Sequence, residues 1–237
     1  QDTELLLGQP IAANSFNDTT VGRALDAIFD AGASTIFSNL AFQALQIFSC
    51  DATYLHFDTT SVNVWGDYLT PEQENPKPVS LVHGYSKDKR PDLKQFLISI
   101  LCVEKNIPIL GGCKDGNASD KKINNEILSN ISKTMARGGL GEGAFIYIAD
   151  SAMVTEDNLN ALGANLFITR LPANYRECAR IIAEVVGEGS FEPIGILAHT
   201  KPSKNRRAAI YHSAEGQVTL YGKEYRVIVI HSTAHDL

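Results

Sequence analysis

The sequence predicts an α/β fold, a mixed sheet flanked by helices rather than a uniform array of βαβ units. Three observations carry this. A wholly helical stretch opens the chain, three β-type runs follow with no crossover helix among them, and only then do strand and helix signals alternate. Closely spaced strands pair antiparallel, whereas helix-linked strands add to a sheet in parallel.

Residues 17–49 place Val21, Leu25, Ile28 and Phe29, then Ile36, Leu40, Phe42, Leu45 and Ile47, at helical spacing, with Gly32 as the break between two helices. Residues 52–64 are rich in aromatic and β-branched types and read as a strand. Pro71, Pro76, Pro78 and Gly84 make 66–86 a long loop. The runs 96–103 and 107–110 read as a hairpin of buried strands across Glu104-Lys105-Asn106. Asp120 is placed to cap a helix with the stripe Ile123, Ile127, Leu128, Ile131 and Met135, ending at Arg137-Gly138-Gly139. A strand at 144–149, a helix capped by Thr155 with Glu156 and Asp157 in its first turn, a strand at 166–169 and a helix over 175–186 stopped by Gly187 complete the alternation. After Phe191 the signals are all β: 195–199, 208–212, 217–221 and 225–231.

At 237 residues and 44% hydrophobic, the chain can bury a substantial core. No apolar run approaches the ~18 residues that cross a bilayer, so no membrane partner is expected. The start has no signal-peptide order and no initiator Met, so the chain is expected to begin inside a longer protein. Cys50, Cys102, Cys113 and Cys178 have no C-x-x-C spacing and read as reduced, mostly buried thiols in a cytoplasm. The formal net charge of -6 argues against a polyanionic partner until its distribution is seen. Residues 83–137 carry ten basic against six acidic residues, and 199–237 carry six against three.

Two aspartates occupy matching positions. Asp58 ends the run Tyr54-Leu55-His56-Phe57, and Asp150 ends Phe145-Ile146-Tyr147-Ile148-Ala149. An ionised carboxylate beside an apolar strand is costly unless a cation or hydrogen bonds compensate it. Adjacent strands would bring the pair together and favour a divalent cation. The pattern fits capping of the following segment as well as it fits metal binding.

More specific are Leu55-His56-Phe57-Asp58-Thr59-Thr60-Ser61, the run His83-Gly84-Tyr85-Ser86-Lys87-Asp88-Lys89-Arg90-Pro91-Asp92-Leu93-Lys94-Gln95, and Gly116-Asn117-Ala118-Ser119-Asp120. Together with the order of elements they resemble the DDE transposases of bacterial insertion sequences, in the group whose catalytic domain carries a large β-rich insertion. The resemblance runs along nearly the whole chain. It implies a ribonuclease H-like mixed sheet flanked by helices, with the insertion following the second catalytic Asp. Residues 1–50 would be a helical N-terminal region, 51–190 the catalytic core, and 191–237 the start of an incomplete insertion.

By the same resemblance, Asp58 and Asp150 would be the first two catalytic carboxylates. They would share two Mg²⁺ ions, with Mn²⁺ as substitute, roughly 3.5–4 Å apart. The partners would be double-stranded DNA, at element ends and target, and a second copy in a homodimer of the full-length protein; the setting would be the bacterial nucleoid. The family's third carboxylate is a Glu in a Tyr-x₂-Arg-x₃-Glu-x₆-Lys/Arg pattern. Cys178, Ala214, Glu224 and Ile228 stand where Arg would follow Tyr175, Tyr211, Tyr221 and Tyr225. The chain is therefore expected to stop inside the insertion, and an inactive remnant that binds only DNA or a partner is the alternative.

Tyr85, Lys87, Lys89 and Arg90 are the expected DNA contacts, offering phosphate partners and a stacking ring. Lys201, Lys204, Arg206 and Arg207 read instead as an ordinary solvated face. Gly138-Gly139-Leu140-Gly141-Glu142-Gly143 precedes a strand rather than joining a strand to a helix, so it reads as a connector and not a phosphate loop. The six His lack metal-site spacing, although His56 shares the strand parity of Asp58. A phosphatase with Asp58 as nucleophile would need Asp at the position of Thr60.

Overall fold

In the computed structural model, which describes residues 4–5, 8–68, 79–141, 143–197 and 208–235, the helical start is two helices that meet at a glycine. Helix α1 (Asp18–Asp30) begins where the Asn17 side chain accepts the Thr20 N–H at 3.0 Å, with Asp18 at the positive end of the helix dipole. Gly32, at φ 82°, takes the left-handed conformation that redirects the chain into α2 (Ala33–Ile47). Helix α2 buries Ser38, Ala41, Phe42 and Leu45, whereas α1 buries nothing and leaves Leu25 and Phe29 exposed.

Strands β1 (Tyr54–Val64), β2 (Lys94–Val103) and β3 (Ile107–Asp115) form the expected antiparallel series. Helix α3 (Asp120–Arg137) follows, then β4 (Ile146–Ala149), α4 (Glu156–Ala161) and β5 (Leu166–Thr169). Strand β4 lies parallel to β1, and the order across the sheet is β3-β2-β1-β4-β5. This five-stranded mixed sheet with its helices is compatible with a ribonuclease H-like fold.

The strand pleat sends alternate residues to opposite faces, and the core lies on one of them. It takes Leu55, Phe57, Leu97, Leu101 and Ile109 from the strands and Ile123, Leu128, Ile131 and Met135 from α3. Tyr147 joins helix to sheet: its ring stacks on Phe57 with centroids 6.1 Å apart, and its hydroxyl donates to Asn124 Oδ1 at 3.1 Å. Each such fully buried large side chain contributes about 1.5–3 kcal/mol. The 96–103 run, expected as a buried strand, is fully buried on that face alone; Ile98 and Cys102 are half-buried and Ile100 is exposed.

By compactness the chain falls into two units, Gln1–Asp150 with Ala164–Ile168, and Ser151–Gly163 with Thr169–Leu237. In the second, α5 (Arg176–Glu188) packs against a three-stranded sheet of β6 (Glu192–Gly195), β7 (Tyr211–Leu220) and β8 (Lys223–Ser232), ordered β6-β7-β8. Helix α5 runs through Gly187, where its end was expected, and stops at Gly189 in the left-handed conformation at φ 66°. A helical φ at Gly187 costs some propensity but breaks no hydrogen bond, whereas the αL residue at Gly189 terminates the helix.

The expected strands 208–212 and 217–221 are one strand, β7, continuous through Ser213–Gly216. The bare backbone of Gly216, within β7, makes room for the helix: a Cβ there would lie 2.4 Å from Ile181 Cδ1. Strands β7 and β8 join through Tyr221-Gly222, both at positive φ, as a tight two-residue hairpin requires. The cysteines are free, as expected, but none is fully buried: three are half-buried and Cys113, on edge strand β3, is exposed. Pro71, Pro76 and Pro78, the end of the 195–199 run, and Lys201, Lys204, Arg206 and Arg207 lie outside the described residues.

Candidate carboxylate site

The parallel pairing of β1 and β4 sets the site. Tyr54 pairs with Ile146, Leu55 with Tyr147 and His56 with Ile148; Asp58 and Asp150 each lie two residues beyond that last pair, and both line one pocket. Adjacent strands lie about 4.8 Å apart, and both aspartates are solvent-exposed. Strand β4 ends at Ala149 while β1 continues to Val64 on its antiparallel pairing with β2. Asp58 thus lies where β1 loses its parallel neighbour, the kind of crevice at strand carboxyl ends in which α/β sheets take ligands.

The same pocket is lined by Phe57, Asp58, Thr59, Asp120, Asn124 and Asp150. Asp120 departs from its expected role. It is the first residue of α3 after the N-cap Ser119, which makes no side-chain cap bond, and its carboxylate instead accepts the Thr59 hydroxyl at 2.7 Å. Asp120 thereby gives the hydrogen of the buried Thr59 hydroxyl an acceptor, and leaving such a donor unsatisfied costs about 1–3 kcal/mol. Asn124, one turn along α3, donates to the Asp120 carbonyl at 2.9 Å and accepts the Tyr147 hydroxyl. Burial, with the negative charge of Asp150 added, pushes the Tyr147 hydroxyl well above the ordinary tyrosine range.

Thr59, only 6% exposed, engages three neighbours. Its N–H donates to Asp58 Oδ1 at 2.8 Å, its hydroxyl donates to Asp120, and its carbonyl and hydroxyl both accept from Lys87 Nζ. In the sequence Thr59 is only a motif letter beside Asp58, and nothing in spacing brings Asp120 to it.

Two of the sequence motifs meet in space. Gln95, 1% exposed, donates through Nε2 to the carbonyls of Tyr85 at 3.2 Å and Gly116 at 2.7 Å. Val82 and Gln95 exchange backbone hydrogen bonds, and the Gly116 N–H donates to the Ser80 carbonyl at 3.0 Å. A Cβ on Gly84 would lie 2.0 Å from the Gly116 carbonyl oxygen, and one on Gly116 would lie 1.9 Å from that of Gln95. The glycines and Gln95 of these motifs are therefore packing devices that fix the 79–95 segment against the sheet.

The residues expected at DNA divide into two kinds. Tyr85, 89% exposed, and Lys89 face solvent, with Lys89 in the left-handed region at φ 57°. Lys87 is tied to Thr59, and Arg90 makes paired hydrogen bonds to Asp92 at 2.8 and 2.7 Å with its guanidinium 6.0 Å from the Trp65 ring centre. The Asp92 partner holds the Arg90 guanidinium above its usual range and is itself lowered by it. His56 lies on the Asp58 side of β1 and is exposed.

Among the described residues no three His, Cys, Asp or Glu side chains are gathered as a metal cage. What the site offers is two neighbouring exposed carboxylates. That donor set fits Mg²⁺ or Mn²⁺, hard cations that take one or two carboxylates and keep waters for substrate oxygens.

Among the described residues no helix is long and apolar enough to cross a membrane. Comparison with curated proteins gives no match. Residues 1–42 match a protein family described as a domain of unknown function, DUF4277. Two solved structures share a weak similarity of fold. One is a Mos1 transposase paired-end complex with left transposon end, at TM-score 0.32 and 10% identity over 78% of this chain and 55% of that one. The other is a pre-cleavage Mos1 transpososome, at TM-score 0.32 and 9% identity over 64% and 47%. The chain thus spans about half the length of the structures it resembles.

Proposed function

We propose that this chain is the greater part of the catalytic core of a DDE transposase of the bacterial insertion-sequence group with a β-rich insertion, and that the insertion begins near residue 191. The observation that carries the reading is that Asp58 and Asp150, each two residues beyond the last pair of the adjacent parallel strands β1 and β4, line one pocket. Divalent ions held by this pair would activate a water or a DNA 3′-hydroxyl and stabilise the leaving oxygen during in-line attack at phosphorus. Asp58 on β1 and Asp150 just past the end of β4 would hold and orient that centre. Lys89 contacts backbone phosphate and Tyr85 stacks against a base or sugar, with Lys87 and Arg90 shaping the loop that presents them. The partners are double-stranded DNA at element ends and target, and a second copy in the full-length protein; the compartment is the bacterial cytoplasm, at the nucleoid.

Supercoiled plasmid incubated with the chain and Mn²⁺ tests this. Conversion to open circles that requires the ion and disappears with Asp58→Asn is expected. Nicking that persists in EDTA or in Asp58→Asn would contradict it. DNA binding without nicking would point instead to a chain that keeps the fold and binds DNA alone.

A further inference from the structure

We propose that Thr59 is a positioning residue of this site, a side chain that ties the Asp58 strand to the start of α3 and so sets the geometry of the Asp58–Asp150 pair; the inference rests on the metal-binding reading above. Past Ile148, β4 offers β1 no further paired residue, and at Thr59 hydrogen bonds from outside the sheet take over. The Thr59 N–H holds Asp58 Oδ1, leaving Oδ2 as the oxygen that Thr59 does not engage. The hydroxyl reaches Asp120 across 61 residues of sequence, and Lys87 anchors the same residue from the 83–95 loop. A buried strand position flanked by Phe57 and Ser61 would accept Val on packing and propensity grounds alone. The hydroxyl is what Val lacks, and its two partners come from two other segments that wall the pocket or its loop. Such outer partners of a metal's ligands set binding strength through ligand orientation.

The test compares Mn²⁺ affinity, by calorimetric titration at a temperature where every variant is folded, for the unaltered chain, Thr59→Val, Thr59→Ser and Asp120→Ala. Thr59→Val is expected to bind about tenfold more weakly or worse, Thr59→Ser to bind within about twofold of the unaltered chain, and Asp120→Ala to reproduce the Val loss. The double variant Thr59→Val/Asp120→Ala is expected to lose no more than either single change, because both remove the same bond. Val binding as tightly as Thr, Ser failing as badly as Val, or additive losses would each overturn the positioning role. An unaltered chain that binds no Mn²⁺ would remove the metal reading itself, and the positioning role with it. That outcome is distinct from tight binding that ignores residue 59.

Discussion

Gly84 approaches Gly116 so closely that a Cβ on Gly84 would lie 2.0 Å from the Gly116 carbonyl oxygen. The obstacle is backbone, which a rotamer change cannot relieve. Gly84→Ala or Gly116→Ala is expected to destabilise the first unit by about 3 kcal/mol or more, seen as a lowered melting temperature and loss of hydrogen-exchange protection across β2. Either variant melting like the unaltered chain would mean the 79–95 segment does not sit where the structure has it.

Asp58→Asn and Asp150→Asn remove charge from two exposed carboxylates that line one pocket and are expected to leave stability in EDTA undiminished. They are expected to abolish stabilisation by Mn²⁺. A ligand at about 100 times its dissociation constant contributes about 2.7 kcal/mol to the folded state, so the unaltered chain's melting temperature should rise with Mn²⁺ and the variants' should not. Thermal melts at several ion concentrations check this.

Tyr147 predicts an alkaline limit. Burial and the Asp150 charge raise its folded-state pKa above the ordinary value of 10.0, so above that pH the unfolded chain releases a proton that the folded chain retains. Its contribution is intact below pH 10 and falls as pH rises, by about 1.4 kcal/mol per unit. Tyr221, pushed up to about 12 chiefly by its hydrogen bond with Tyr175, adds to the same limb. Tyr147→Phe is expected to cost about 1 kcal/mol at neutral pH, by stranding Asn124 Oδ1, and to flatten the loss between pH 10 and 11. Urea melts across that range measure both effects; an unchanged alkaline slope would contradict the burial assigned to Tyr147.

DNA affinity should respond unequally along the 83–95 loop. Lys89→Ala is expected to lower the slope of log affinity against log salt by about 1, and Tyr85→Ala to weaken binding with little change in slope. Arg90→Ala breaks the pairing to Asp92 and the approach to Trp65, so its effect should appear in loop stability before the salt slope. Fluorescence anisotropy over a salt series separates these outcomes.

Much of this architecture was legible in the sequence, because it rests on local signals. Gly32 between two apolar stripes, Thr155 as N-cap and the 166–169 run each emerge where periodicity and turn chemistry put them. What failed was set by partners far along the chain. The runs 208–212 and 217–221 look like two strands, whereas β7 is continuous and passes Ile181 at Gly216. Asp120 looks like a cap until Thr59 is known to lie opposite. That Asp58 and Asp150 line one pocket depends on β4 lying directly beside β1, a neighbourhood that neither motif specifies.

The measurement that bears most directly on the central claim is a Mn²⁺ soak of crystals of this chain, with anomalous density sought at the carboxyl end of β4. A peak in contact with both Asp58 and Asp150 is the expected result; no peak, with the two carboxylates turned away from each other, would contradict a shared metal site and the transposase reading built on it.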